Sequence, residues 1–344
     1  MRKLHLLLIL AILCMVPQVF GQSRDLVLYT WEEMFPQEIL NSFERETGIR
    51  VIYRTFETNE EMWDNLVENS GGAYDLVIAD DYIVELVTYF GLAQRLNKSR
   101  IPNFSNIDSF FQRKLYDPDD EYTVPYGAGV KTIVYDPSRV SIDIRGLGDL
   151  WDSSLRNSVG IMGNYRVING MALKTMGKSY NNSIVTDIAA AGKFLMQLIP
   201  NIRIMKDFGL EEDLIAGNIS VAVMYTDQVM KSRLERPELR AVFPSEGIGF
   251  GTMPAFIPVG APNADAAHRF LNYILDPERG ARCFEYLGYY CTFDASKRYI
   301  NPRLEEFLIM PQFTNFESMH NINQEAEDEH WRVWEIFTEA LGNR

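Results

Sequence analysis

The side chains from which chemistry could be built are few, apart from a surplus of acids. His5, His268, His320 and His330 are scattered, and no Cys/His spacing suits zinc. No nucleophile elbow, phosphate-cradling glycine loop or metalloprotease helix motif is present, and nothing singles out an acid–base pair. The residues therefore point away from an enzyme and call for no cofactor or metal. What remains are polar runs placed just after strand-like segments: Trp31-Glu32-Glu33, Asp80-Asp81-Tyr82, and Asp227 shortly after Tyr225. Each has a plain alternative. Trp31 could be lobe core, one aspartate of the pair could cap a helix, and Asp227 could be a solvated loop acid.

The elements that must position these residues read as α/β. Asp25–Tyr29 is a short strand-like run, Pro36 suits a helix start, and Ile39, Leu40 and Phe43 keep helical period up to Thr47-Gly48. Ile49–Thr55 reads as a second strand, Thr58 opens another helix, and Ala73–Ile78 is a third strand. This alternation predicts a largely parallel sheet with helices on its faces. Leu173–Gly177, Ile184–Ile199 and Leu210–Asn218 read as helices and Ile219–Tyr225 as a strand, which makes a second α/β unit. Two glycine-punctuated strands, Tyr122–Tyr135 and Phe243–Pro258, suit crossings between the units.

A chain of 344 residues exceeds what one core usually holds, so two lobes are expected. The boundaries are a signal peptide over 1–21, a first lobe over 22–128, and a second over 129–250. The first lobe returns over 251–297, and a helical part over 298–344 belongs mainly to the second. Arg2 and Lys3 followed by apolar Leu4–Val16 make the leader, with cleavage near Gly21 or, alternatively, acylation of Cys14. Losing Arg2 and Lys3 takes the net charge from −14 to −16, which excludes a nucleic-acid footprint and disfavours an anionic lipid surface. Such a charge could suit a cationic ligand, although solubility is the plainer reason for it. Export and an even count predict a Cys283–Cys291 bridge, with two buried free thiols as the alternative.

Several segments together resemble the spermidine/putrescine-binding periplasmic proteins. They are Leu28–Glu33, Phe43–Tyr53, Asn59-Glu60, Gly72–Ile78, Asn103–Asn106, Val124-Pro125-Tyr126, Leu147–Trp151, Pro244–Gly247 and Leu287-Gly288, in order along nearly the whole mature chain. The resemblance implies a two-lobed periplasmic-binding-protein fold, with mixed sheets flanked by helices and a ligand cleft between the lobes. It also implies a monomeric, exported receptor that hands a polyamine to an ABC permease and ATPase, periplasmic or held to a membrane by a lipid on Cys14.

A polyamine needs acidic oxygens at its ammonium groups and aromatic walls along its methylenes. By resemblance, Trp31 is such a wall and Glu33 a ligand contact, with Glu32 where the family has Thr. Tyr82 matches a family Tyr, and Asp80, beside Asp81, takes the place of a ligand-contacting Ser. The second lobe departs from the pattern: Asn164 and Val167 replace an Asp and a Glu, and Gly251 and Met253 replace a Trp and an Asp. Tyr225 replaces a Trp, and Gln324 matches a site Gln. Asp207, at a family Ser, and Asp227 are the acids that could compensate. Rival readings are another organic amine, a zwitterion that also uses Arg166, a receptor coupled to a membrane sensor, and a ferric-iron receptor using Tyr289-Tyr290.

Overall fold

Strand and helix alternate from the first described residue onward. The computed structural model describes residues 25–206, 208–311 and 315–343, so the expected leader with Cys14, and also Asp207, lie outside the described residues. The first unit runs β1 (Asp25–Thr30), α1 (Gln37–Thr47), β2 (Arg50–Thr55), α2 (Asn59–Glu68), β3 (Leu76–Ile78) and α3 (Asp81–Tyr89). Local chemistry sets the ends. Pro36 precedes α1, and Gly48 closes it at φ 71°, a conformation that costs glycine least. The Thr58 side chain accepts the Glu61 N–H and caps α2. β1 pairs in parallel with both β2 and β3.

The chain then enters β4 (Thr123–Tyr135) and a second unit. This comprises β5 (Val159–Ile161), α4 (Tyr165–Thr175), α5 (Val185–Leu195), β6 (Ile202–Met205), α6 (Leu210–Ile215), β7 (Val221–Tyr225), α7 (Thr226–Glu235) and β8 (Arg240–Val242). β9 (Ile248–Phe256) returns, followed by α8 (Ala264–Ile274), α9 (Pro277–Leu287), α10 (Glu305–Leu308), β10 (Phe316–Ser318) and α11 (Gln324–Gly342). The strand order is β2-β1-β3-β9-β4-β7-β5-β6, with β10 beside β9 and β8 beside β4.

β4 splices the two lobes together. From Thr123 to Val130 it pairs antiparallel with β9, and from Lys131 to Tyr135 with β7. Its side chains alternate between faces, so one strand feeds several cores. Val124 and Tyr126 join Leu28, Phe43, Phe270 and Phe284 in the first lobe, whose other sheet face packs Tyr29, Val77 and Phe256 on Met62 and Val84. Ile133 joins Ile161, Val223, Leu195 and Phe337 in the second lobe, while Val134 faces Leu210, Leu214 and Met224. The tail divides: Ile300, Phe307 and Leu308 lie in the first-lobe core, and Met319 and Phe337 in the second.

Two expectations are corrected. The helix expected at Leu173 already begins at Tyr165, because buried polar residues disguise its inward face. Arg166 pairs with Glu327 at 3.2 Å, and Asn169 Nδ2 donates to the His330 carbonyl at 2.9 Å. The expected disulfide is absent: Cys283 and Cys291 are free, buried thiols. α9 stays helical to Leu287, so Cys283 faces the core beside Tyr126, whereas the Cys291 thiol donates to the Phe293 carbonyl at 3.3 Å. Burial pushes both thiols up to about 12. No helix among the described residues is long and apolar enough to cross a membrane.

Candidate functional site

β3, β5 and β7 all end at the junction of the lobes, where ligands of open α/β sheets bind. A cavity of about 60 Å³ lies there. The first lobe contributes Asp80, Gly251, Met253 and Tyr289, and the second Asn164 and Tyr225. Gly129, Val130 and Lys131 line it from the splice itself. Gly129 and Gly251 are cross-strand partners, so no side chain fills the floor between β4 and β9. A Cβ on Gly129 would meet the Tyr289 ring at 2.7 Å, which is why that ring can lie against the strand.

Asp80 and Asp81 part company at the start of α3. Asp80 occupies the N-cap position but makes no side-chain cap bond; its carboxylate accepts Asn59 Nδ2 at 2.9 Å and faces the cavity. Asn59 Oδ1 in turn accepts the Asp80 N–H at 3.2 Å, so this buried residue fixes Asp80 at both ends. Asp81 is buried and ties α3 to β9, accepting the Thr252 N–H at 2.9 Å and its hydroxyl at 3.2 Å. Burial raises both carboxyl groups above the usual range, opposed by the Lys131 ammonium; adding the neighbouring Asp80 charge, Asp81 is pushed up to about 7.

Other expected contacts fall around the cavity rather than in its walls. The Tyr82 hydroxyl accepts Asn59 Nδ2 at 3.1 Å and donates to Glu60 at 3.3 Å. Trp31 is half-buried, edge-on to Phe56 at 4.9 Å, and its carbonyl accepts the Tyr53 hydroxyl at 2.7 Å. Asp227, in the first turn of α7, pairs with Lys231 at 3.2 Å and faces the Tyr289 hydroxyl from lobe to lobe. Burial raises its carboxyl, with Lys231 opposing.

Four assignments move away from the site. Glu32 and Glu33 are exposed on a first-lobe groove of about 400 Å³ with Glu44, Tyr53 and Tyr286, and the turn that puts them there holds Glu33 at φ 56°. Gln324 is exposed at the start of α11 and donates to Asp328 at 2.8 Å. Arg166 is committed to Glu327 and to the His320 carbonyl, 3.2 Å away, and does not reach the cavity. Asn164 lines the cavity, but its Oδ1 already caps α4 at the Val167 N–H, 3.0 Å away.

Lys131 and Tyr289 line the cavity and were not singled out as ligand contacts by sequence. Tyr289 was considered only with Tyr290 for iron, yet the two diverge: Tyr289 lines the cavity, and Tyr290 is buried with Ala128 and Phe250. Among the described residues no cluster of three or more His, Cys, Asp or Glu could hold a metal.

The family described as bacterial extracellular solute-binding protein matches residues 38–302. The spermidine/putrescine-binding periplasmic protein of Salmonella typhimurium is 31% identical over 83% of this chain and 82% of its own length. A putrescine-binding periplasmic protein of Escherichia coli is 28% identical over 78% of each. The solved spermidine/putrescine ABC transporter substrate-binding protein of Streptococcus pneumoniae superposes with a TM-score of 0.80 at 25% identity, covering 92% of this chain and 99% of its own. A Treponema pallidum lipoprotein shares the two-lobed fold, with a TM-score of 0.82 at 23% identity over 91% of this chain and 99% of its own.

Proposed function

Because the chain belongs to the bacterial extracellular solute-binding proteins, which are receptors and not enzymes, we propose that it captures a polyamine for an ABC importer. The observation that carries this reading is the Asp80 carboxylate, held by Asn59 in a cavity built from both lobes and walled by Tyr225 and Tyr289. A buried carboxylate with tyrosine faces beside it is what an alkylammonium needs. The lobes, with 22–128 and 251–297 as the first and 129–250 with most of 298–344 as the second, close on the amine. A permease and its ATPase then take delivery from an exported monomer, free in the periplasm or tethered through Cys14.

Micromolar affinity needs about −8.2 kcal/mol, within reach of two or three charge-assisted contacts of roughly 1.5–3 kcal/mol each plus aromatic burial. Mass spectrometry of small molecules released from the purified protein, followed by calorimetry with putrescine and spermidine, tests the reading. A bound aliphatic amine is expected; no amine, and binding of both polyamines weaker than millimolar, would refute it.

A further inference from the structure

We propose that Lys131 fixes the far end of the ligand, so that the cavity prefers an amine with one ammonium and, at its other end, a carbonyl oxygen. This rests on the cavity being the solute site and narrows the ligand within it. An acylated polyamine and an ω-amino acid share that chemistry. A symmetrical diamine does not.

The argument starts from the splice. Lys131 is the first residue of β4 to pair with β7, opposite Tyr225, and it is fixed there by the ladder. Its half-buried side chain enters the cavity, with Nζ 5.8 Å from the Tyr225 ring centroid. Gly251 shows how the charges face each other. Lys131 Nζ lies 3.3 Å from the point where a Gly251 Cβ would sit, and both Asp81 carboxylate oxygens lie 4.0 Å from that same point. Among the described residues Lys131 has no ion pair within 4.0 Å and no hydrogen bond to a protein group; its ammonium faces the Tyr225 ring and the Asp80 and Asp81 charges. The Lys131 ammonium and the Asp81 carboxylate therefore flank the space over Gly251, with Asp80 in the wall of the same cavity.

That gap is dipolar. An incoming ammonium is matched on the side of Asp80 and Asp81. A second ammonium would have to share the small cavity with Lys131, like charge against like charge at low dielectric. A carbonyl or carboxylate oxygen would instead be matched by the Lys131 ammonium. Gly251 leaves the space for it, since any side chain there would stand between the opposite charges.

Calorimetry on the mature chain and on Lys131→Met, with putrescine, N-acetylputrescine and 4-aminobutanoate, tests this. The wild type should bind one of the two oxygen-bearing ligands at least tenfold tighter than putrescine, and the better of the two identifies amide or carboxylate. Lys131→Met should erase that preference and tighten putrescine. The proposal is overturned if putrescine is the tightest ligand of the wild type, or if Lys131→Met leaves the affinity ratio within twofold. Should Lys131→Met bind nothing, the wild-type ratio alone decides. Asp80→Asn separates the two readings. If it weakens no ligand, the cavity is not the solute site and both readings fall; if it weakens all three while the ratio ignores Lys131, only the present proposal fails.

Discussion

The cavity at Asp80 and the groove at Glu33 are both acidic, both edged by tyrosines and both set just after strands of the first lobe, yet their acids differ in kind. In the groove Glu32 and Glu33 stand in water, where a charge is screened and an ion pair contributes little. In the cavity Asp80 is held by Asn59, and behind it Asp81 is 5% exposed, so each charge is expensive to leave unmatched. Binding capacity follows from enclosure and counter-charge rather than from the number of acids. The chain is acidic overall, and this cavity sets the half-buried Asp80 of one lobe against Asn164 and Tyr225 of the other.

The largest effect should come from Asp80→Asn, which removes the charge facing the cavity but keeps the shape. Amine affinity should fall about ten- to a hundredfold, the loss of one charge-assisted contact of about 1.5–3 kcal/mol. A fall of less than threefold by calorimetry would erase the distinction between the two acidic regions.

A smaller effect concerns pH. Asp81 faces Asp80, Lys131, Thr252 and, through Thr252, the Tyr116 hydroxyl. With its carboxyl pushed up to about 7, the group is largely protonated at pH 6 and largely ionised at pH 8. An ammonium favours the ionised form, so affinity should rise by up to about tenfold across that window and Asp81→Asn should flatten the profile. In the free protein the sign reverses: the raised group favours the protonated fold, and its contribution to stability declines as pH rises from about 3.9 towards 7. A flat wild-type profile would show that Asp81 holds no proton the ligand can displace.

The smallest change is expected of Glu33→Gln. An exposed acid outside the cavity walls should alter affinity by less than about threefold. A tenfold loss would put the groove, not the cavity, in contact with ligand.

Much of this architecture was legible in the sequence. β1 to α3 were readable because their signals are local: Pro36, Gly48, Thr58 and the short apolar runs. Both crossings were recognisable because glycines interrupt strand formers. The start of α4 was not, since Arg166 and Asn169 are buried by partners more than 150 positions away. The place of Asp80 on the cavity wall could be anticipated from an acid set just after a strand. That of Lys131 could not, because it counts as one more strand residue until the register shows which neighbours it loses and gains there. That Glu33 lies on the groove and not in the cavity wall was not legible, because family position says where a residue lies along the chain, while a turn at positive φ decides which way it points.

The splice at β4 also has a kinetic consequence. Thr123 of β4 pairs with Phe256 of β9, so the whole of the second lobe's sheet lies in the loop that this ladder closes. Closing so long a loop costs chain entropy until the intervening residues have become compact. The β5, β6 and β7 ladder draws on a far shorter stretch and has no such wait. Pulsed hydrogen exchange during refolding should protect the Val223 amide before that of Phe256; simultaneous protection would mark a single cooperative step. A chain that emerges amino end first thus begins its first sheet first and closes it last, leaving the edge of β3 unpaired in the interval and open to mispairing.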